Sequence, residues 1–166
     1  MCNSCPQNII SQTIVSIMKD FFAPIYELLK ALYGSDLAEH LYGLNPDGTG
    51  NYDARSLYVT VGLLLFAVSA VTVVVYYIAL NSSRYNRWFH WLGFMGLNFF
   101  INLGLGFYLP YLDLDKGNMA PVVRNVVNSG HLWGFGLANA LWSIVLFFLL
   151  SLAVKRFSHN CSNVPF

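Results

Sequence analysis

Three long stretches of this chain contain no Asp, Glu, Lys or Arg: residues 57–80, 88–112 and 132–154. Wound as a helix rising about 1.5 Å per residue, each is longer than the roughly 30 Å hydrocarbon layer of a bilayer. Nothing else in the sequence constrains the fold as tightly. Lipid offers no hydrogen-bond partner to a peptide group, so each stretch is expected to cross as a helix. Composition agrees: 56% of residues are hydrophobic and 10% charged, with mean hydropathy +0.52. A soluble domain carries about a quarter charged residues. The expected fold is an all-α, polytopic membrane bundle: three transmembrane helices plus an N-terminal amphipathic helix. Tyr76, Tyr77, Trp88, Trp91, Tyr108, Tyr111 and Trp133 lie toward the span ends, where amphipathic rings sit at headgroup depth.

The chain divides into an N-terminal amphipathic helix and polar loop (1–56), the bundle (57–156) and a C-terminal tail (157–166). No cleavable signal peptide is expected, because the first apolar run is interrupted by Lys19 and Asp20. Arg84 and Arg87 follow the first span, and Lys155 and Arg156 follow the third. With three spans these four fall on one side, and Arg55, Lys116 and Arg124 on the other. That balance puts the C-terminus in the cytoplasm.

Within residues 9–33, Ile14, Ile17, Phe21, Ile25 and Leu28 recur at helical spacing, opposite Ser16, Lys19 and Glu27. Lys19, Asp20 and Glu27 are costly at mid-bilayer, so this helix reads as lying on the membrane or against a partner, with a bend at Pro24. A fourth crossing is the rival reading. A second short interfacial helix is expected after Asn118, starting at Ala120 and Pro121, with Val122, Val123, Val126 and Val127 on one side.

The loop "NPDGTGNYD" places Asn45, Asp47, Thr49 and Asp53 at the first, third, fifth and ninth positions of a calcium-loop pattern, with Gly50 at the sixth. The twelfth position is Ser56, where a calcium loop has its bidentate Glu. The loop therefore reads first as a turn delivering the chain to the first span, with Asp53 as a cap, and only weakly as a metal site. Cys2 and Cys5 form one Cys-x-x-Cys with no second pair, which falls short of a zinc site. His90 and His131 should enter their spans from opposite membrane faces, too far apart to share a haem. No nucleophile–base–acid set can be assembled, so neither an enzyme nor a cofactor is expected. A net charge of +1 recruits no nucleic acid.

The spans do carry uncharged polarity. Ser69 and Thr72 share a face of the first, Asn98 and Asn102 lie one turn apart in the second, and Asn139 and Ser143 share a face of the third. Amides in lipid must face protein or water. The third span also holds Gly130, Gly134 and Ala138 at four-residue spacing, which lets helices approach closely. These side chains are expected to act as packing glue or to line a path. The expected function is a non-enzymatic membrane subunit that docks within a larger or homo-oligomeric assembly. Its partners would be the lipid bilayer and other membrane-protein subunits or copies of itself. A homo-oligomeric pore lined by the Asn and Ser stripes is the alternative.

Overall fold

A computed structural model describes residues 7–45, 55–79 and 87–155, and every regular element among them is helical. In order these are α1 (Gln7–Glu27), a 3-10 turn (Lys30–Leu32), α2 (Ser35–Tyr42), α3 (Leu57–Val74) running into a π turn (Val75–Ala79), α4 (Trp88–Asp115), α5 (Pro121–Val126) and α6 (Ser129–Val154). Among the described residues, three helices are long and apolar enough to cross a membrane: Leu57–Ile78, Trp88–Asp115 and Ser129–Val154, of 22, 28 and 26 residues. The protein is an all-α, multi-pass membrane bundle.

The second and third spans outrun the charge-free stretches. Helix α4 continues past Leu112 to Asp115, and its Asp113 lies against His40 of α2. Helix α6 starts early because Asn128 caps it. The Asn128 side chain accepts from the His131 N–H at 3.2 Å, and His131 Nδ1 accepts from the Asn128 N–H at 3.2 Å. This is a capping box with His in the place usually held by Glu or Gln.

Helix α4 packs most extensively on α6, and α3 lies against both. One end of this bundle is capped by α1, the 3-10 turn, α2 and α5. Helix α2 closes with Gly43 at φ 119°, a left-handed position that suits glycine, and the Leu44 N–H returns to the Glu39 carbonyl at 3.1 Å. Tyr26, Tyr33, Leu41, Tyr58, Val123 and Phe135 belong to the buried core at this capped end. A smaller core at the other end holds Val73, Tyr76, Tyr77, Trp91 and Phe147. Tyr76 and Tyr77 are neighbours in sequence, yet both are fully buried. The wider π turn lets two adjacent rings point inward, crossing edge to face at 4.9 Å.

The linker after α4 differs in detail from its expectation. Ala120, not Asn118, occupies the N-cap of α5, with no side-chain cap bond. Pro121 has no N–H needing one, and the Asn118 amide lies 3.4 Å from Asp113 Oδ1 instead. The valines divide: Val123 and Val127 are buried, while Val122 and Val126 are exposed. Val122 and Val126 lie one turn apart, Val123 and Val127 likewise, and only the second pair turns to the core.

Candidate functional site

The polar residues of the spans meet inside the bundle. Near the middle of α4, the Asn98 amide donates to Ser69 Oγ on α3 and to the Ser143 carbonyl on α6, both at 3.1 Å. Its Oδ1 accepts from Ser69 Oγ at 3.3 Å and from Asn102 Nδ2 at 3.1 Å. One side chain thereby ties all three spans and uses its full bonding capacity. One turn toward the capped end, Asn102 Nδ2 also donates to the Asn98 carbonyl at 2.9 Å. Asn139 Nδ2 donates to the Asn102 carbonyl at 2.7 Å. Asn139 Oδ1 then accepts from the Tyr26 hydroxyl at 2.7 Å.

At Tyr26 the path reaches the capped end of the bundle. The Tyr33 hydroxyl donates to the Tyr26 carbonyl at 3.0 Å and lies 3.0 Å from the Tyr58 hydroxyl. Tyr26 stacks on Tyr58 with ring centroids 5.4 Å apart and planes 8° from parallel. Ser69, Asn98, Asn102, Asn139, Ser143, Tyr33 and Tyr58 are all at 0% exposure, so the ladder is sealed within the subunit. Burial holds the Tyr33 phenol up at about 12 and raises Tyr26 as well, so both stay protonated donors at neutral pH. Asn102 Oδ1 alone on this ladder has no protein partner.

Close helix approach makes the ladder reachable. A Cβ on Gly106 would lie 2.9 Å from Gly136 Cα and from Asn139 Cβ, and one on Gly136 would lie 2.9 Å from the Leu103 carbonyl oxygen. Helices α4 and α6 therefore cross backbone to backbone beside Asn139. Gly134 does a different job, admitting the Leu32–Tyr33 backbone against α6. Ala138 is buried, and Gly130 is exposed in the first turn of α6, beside its own cap residue Asn128. Thr72 shares the Ser69 face, but its hydroxyl donates to the Val68 carbonyl of its own helix at 2.8 Å. Ser143 likewise donates within α6, to the Ala140 carbonyl at 2.7 Å.

Helix α1 meets the bundle with the face opposite its apolar stripe. Phe22, Ala23 and Tyr26 turn inward, and the Phe22 ring covers Gly62. Ile17, Phe21 and Leu28 are 63, 62 and 74% exposed, and Ile25 is half-buried. The Ile14 side chain lies outside the described residues. So do residues 46–54, with Asp47, Thr49 and Asp53 of the loop, as well as Cys2 and Cys5; Asn45 is described and half-buried.

Three features were not anticipated. Tyr26, Tyr33 and Tyr58 extend the amide ladder. Trp91 Nε1 donates to Ser151 Oγ at 3.2 Å, joining α4 to α6 near the other end. His40 is 6% exposed, with Nε2 3.3 Å from Asp113 Oδ2. Burial pulls its imidazole below the ordinary value, against the opposing attraction of Asp113. His40 Nδ1 has no protein partner. Comparison with protein-family models, with curated proteins and with solved structures finds no match to this chain.

Proposed function

We propose that this protein is a non-enzymatic membrane subunit whose work is packing and docking within a larger or homo-oligomeric membrane assembly. One observation carries the reading: the Asn and Ser side chains of the spans are buried and bonded inside the subunit, while Ile17, Phe21 and Leu28 of the α1 stripe are left exposed. Asn98, Asn102, Asn139, Ser69 and Ser143 are at 0% exposure. A pore lined by these stripes would need them on an open surface. Ile17, Phe21 and Leu28 instead stand free on the capped end, where a partner or the membrane surface can cover them. The C-terminus is cytoplasmic in this reading, supported by Arg84, Arg87, Lys155 and Arg156 falling together.

The test is purification in mild detergent, with total mass and co-purifying chains measured for the wild type and for Ile17→Glu and Phe21→Glu. Association should weaken in both variants while the spans stay inserted. Normal association in both, or a unitary current from the protein alone in planar bilayers, sinks the reading.

A further inference from the structure

We propose that the His40–Asp113 contact is an acid-released latch: protonation of His40 frees α2 from the end of α4 and opens the capped end of the bundle. Helix α2 is a short unit of 8 residues bracketed by glycines, Gly34 at φ 81° before it and Gly43 at φ 119° after it. Both sit in the left-handed region, so the chain can pivot there at little cost. Leu37, Ala38, His40 and Leu41 form the buried face of α2. Its reach to α4 is polar: His40 Nε2 lies 3.3 Å from Asp113 Oδ2.

The docked position suits a neutral imidazole and not a charged one. His40 is buried, its Nδ1 has no acceptor, and Nε2 meets Asp113 without hydrogen-bond geometry. An imidazolium carries two N–H donors, and the one on Nδ1 would be stranded away from water. Asp113 compensates only in part, since its Oδ1 already lies 3.4 Å from the Asn118 amide. Among the described residues Asp113 is the charge that acts on the ring. Asp36 and Glu39 of α2, Glu27 of α1, Arg55 ahead of α3 and Arg124 of α5 are exposed, and Lys30 of the 3-10 turn is partly so. Burial outweighs Asp113 and pulls the docked ring below its ordinary value, so the ring takes a proton more readily once α2 has left the site. Release is therefore favoured as pH falls through the ordinary 6.5, by up to about tenfold per pH unit, down to the lower value of the docked ring.

The test is hydrogen exchange read by mass spectrometry on the full chain in phosphatidylcholine nanodiscs, with each amide corrected for its intrinsic pH dependence. Measurements at about pH 7.5, 6.5 and 5.5 stay above the ordinary carboxylate values. Protection of the α2 amides should fall about threefold to tenfold across that range, while the middle of α6 keeps its protection. His40→Gln should abolish the pH response of α2. Asp113→Asn should keep or enlarge it, because the docked ring loses its compensating charge. Wild-type protection of α2 that holds on acidification overturns the latch. So does protection that rises, because the charged pair would then clasp α2 more tightly. An equal fall in α6 would mean global unfolding in place of local release, and an undiminished response in His40→Gln, or its loss in Asp113→Asn, would assign the titration to another group; each of these also refutes the proposal.

Discussion

Tyr26→Phe and Asn139→Leu, made singly and together, isolate the bond that fastens α1 to the spans. Tyr26→Phe keeps the ring stacked on Tyr58 and removes only the hydroxyl, leaving Asn139 Oδ1 buried without its donor. A stranded buried acceptor costs about 1–3 kcal/mol in water-soluble proteins, and interhelical bonds in membranes average about 0.6 kcal/mol, so the expected loss is about 1–2 kcal/mol. Asn139→Leu removes the Tyr26 acceptor and also the 2.7 Å bond to the Asn102 carbonyl, for about 2–3 kcal/mol. In the double variant neither Tyr26 nor Asn139 leaves a polar atom behind. Its loss should fall short of the sum of the two by about 1 kcal/mol, the signature of direct contact. The assay is reversible unfolding in mixed micelles followed by helical circular dichroism, with the rate of tryptic cleavage at Lys19 reporting on α1. Coupling below about 0.3 kcal/mol, the usual error of additivity, would mean that the two groups do not bond and that the α1 docking described above is wrong.

Stability should also depend on pH through His40. Its folded-state pKa lies below the ordinary 6.5, so the unfolded chain binds more protons between the two values. The contribution is full above 6.5 and is lost as pH falls through the folded value, so Tm should drop on acidification from about pH 7.5 to about pH 5. His40→Gln should flatten that slope, and an unchanged slope refutes the assignment. Ser69→Ala should cost about 1 kcal/mol because it loosens Asn98, whereas Thr72→Val should cost under about 0.5 kcal/mol because that hydroxyl serves only its own helix. Equal losses would remove the distinction between the two. Gly134→Ala, whose new Cβ meets the Leu32 carbonyl, should cost on the order of 1–3 kcal/mol, while Gly104→Ala, with open space around it, should stay within about 0.5 kcal/mol. The readout for both glycines is the same micellar unfolding curve.

The spans were legible because the bilayer leaves a helix as the only economical answer for a charge-free run of that length. That the amides turn inward was legible for a related reason, since none can face lipid unpartnered. Their pairing was not. The Asn139 amide donates to the Asn102 backbone and not to its side chain. Which acceptor wins depends on how closely α4 and α6 approach at Gly106 and Gly136, and that spacing is a property of the packed pair. Tyr26, Tyr33 and Tyr58 escaped notice because a tyrosine near a membrane surface normally keeps its hydroxyl in water. His40 and Asp113 are 73 positions apart, and no local pattern joins them.

Helix α1 shows why amphipathicity alone could not assign its inner face. In a soluble protein the apolar stripe of a helix marks the side that meets the core, because burial removes it from water. Next to a bilayer that preference vanishes, since lipid tails are as apolar as any leucine on the bundle. What remains to orient the helix is the short list of contacts lipid cannot supply. The Tyr26 hydroxyl finds Asn139, Phe22 finds the notch at Gly62, and Ala23 allows close approach. These lie on the side away from Ile17, Phe21 and Leu28, and they decide the rotation of α1. The stripe that sequence singled out is thereby left facing outward, available to lipid or to a partner. The same logic explains the apolar groove between α1, α3 and α6: a helix held by one hydroxyl and one ring roofs the α3–α6 trough without filling it.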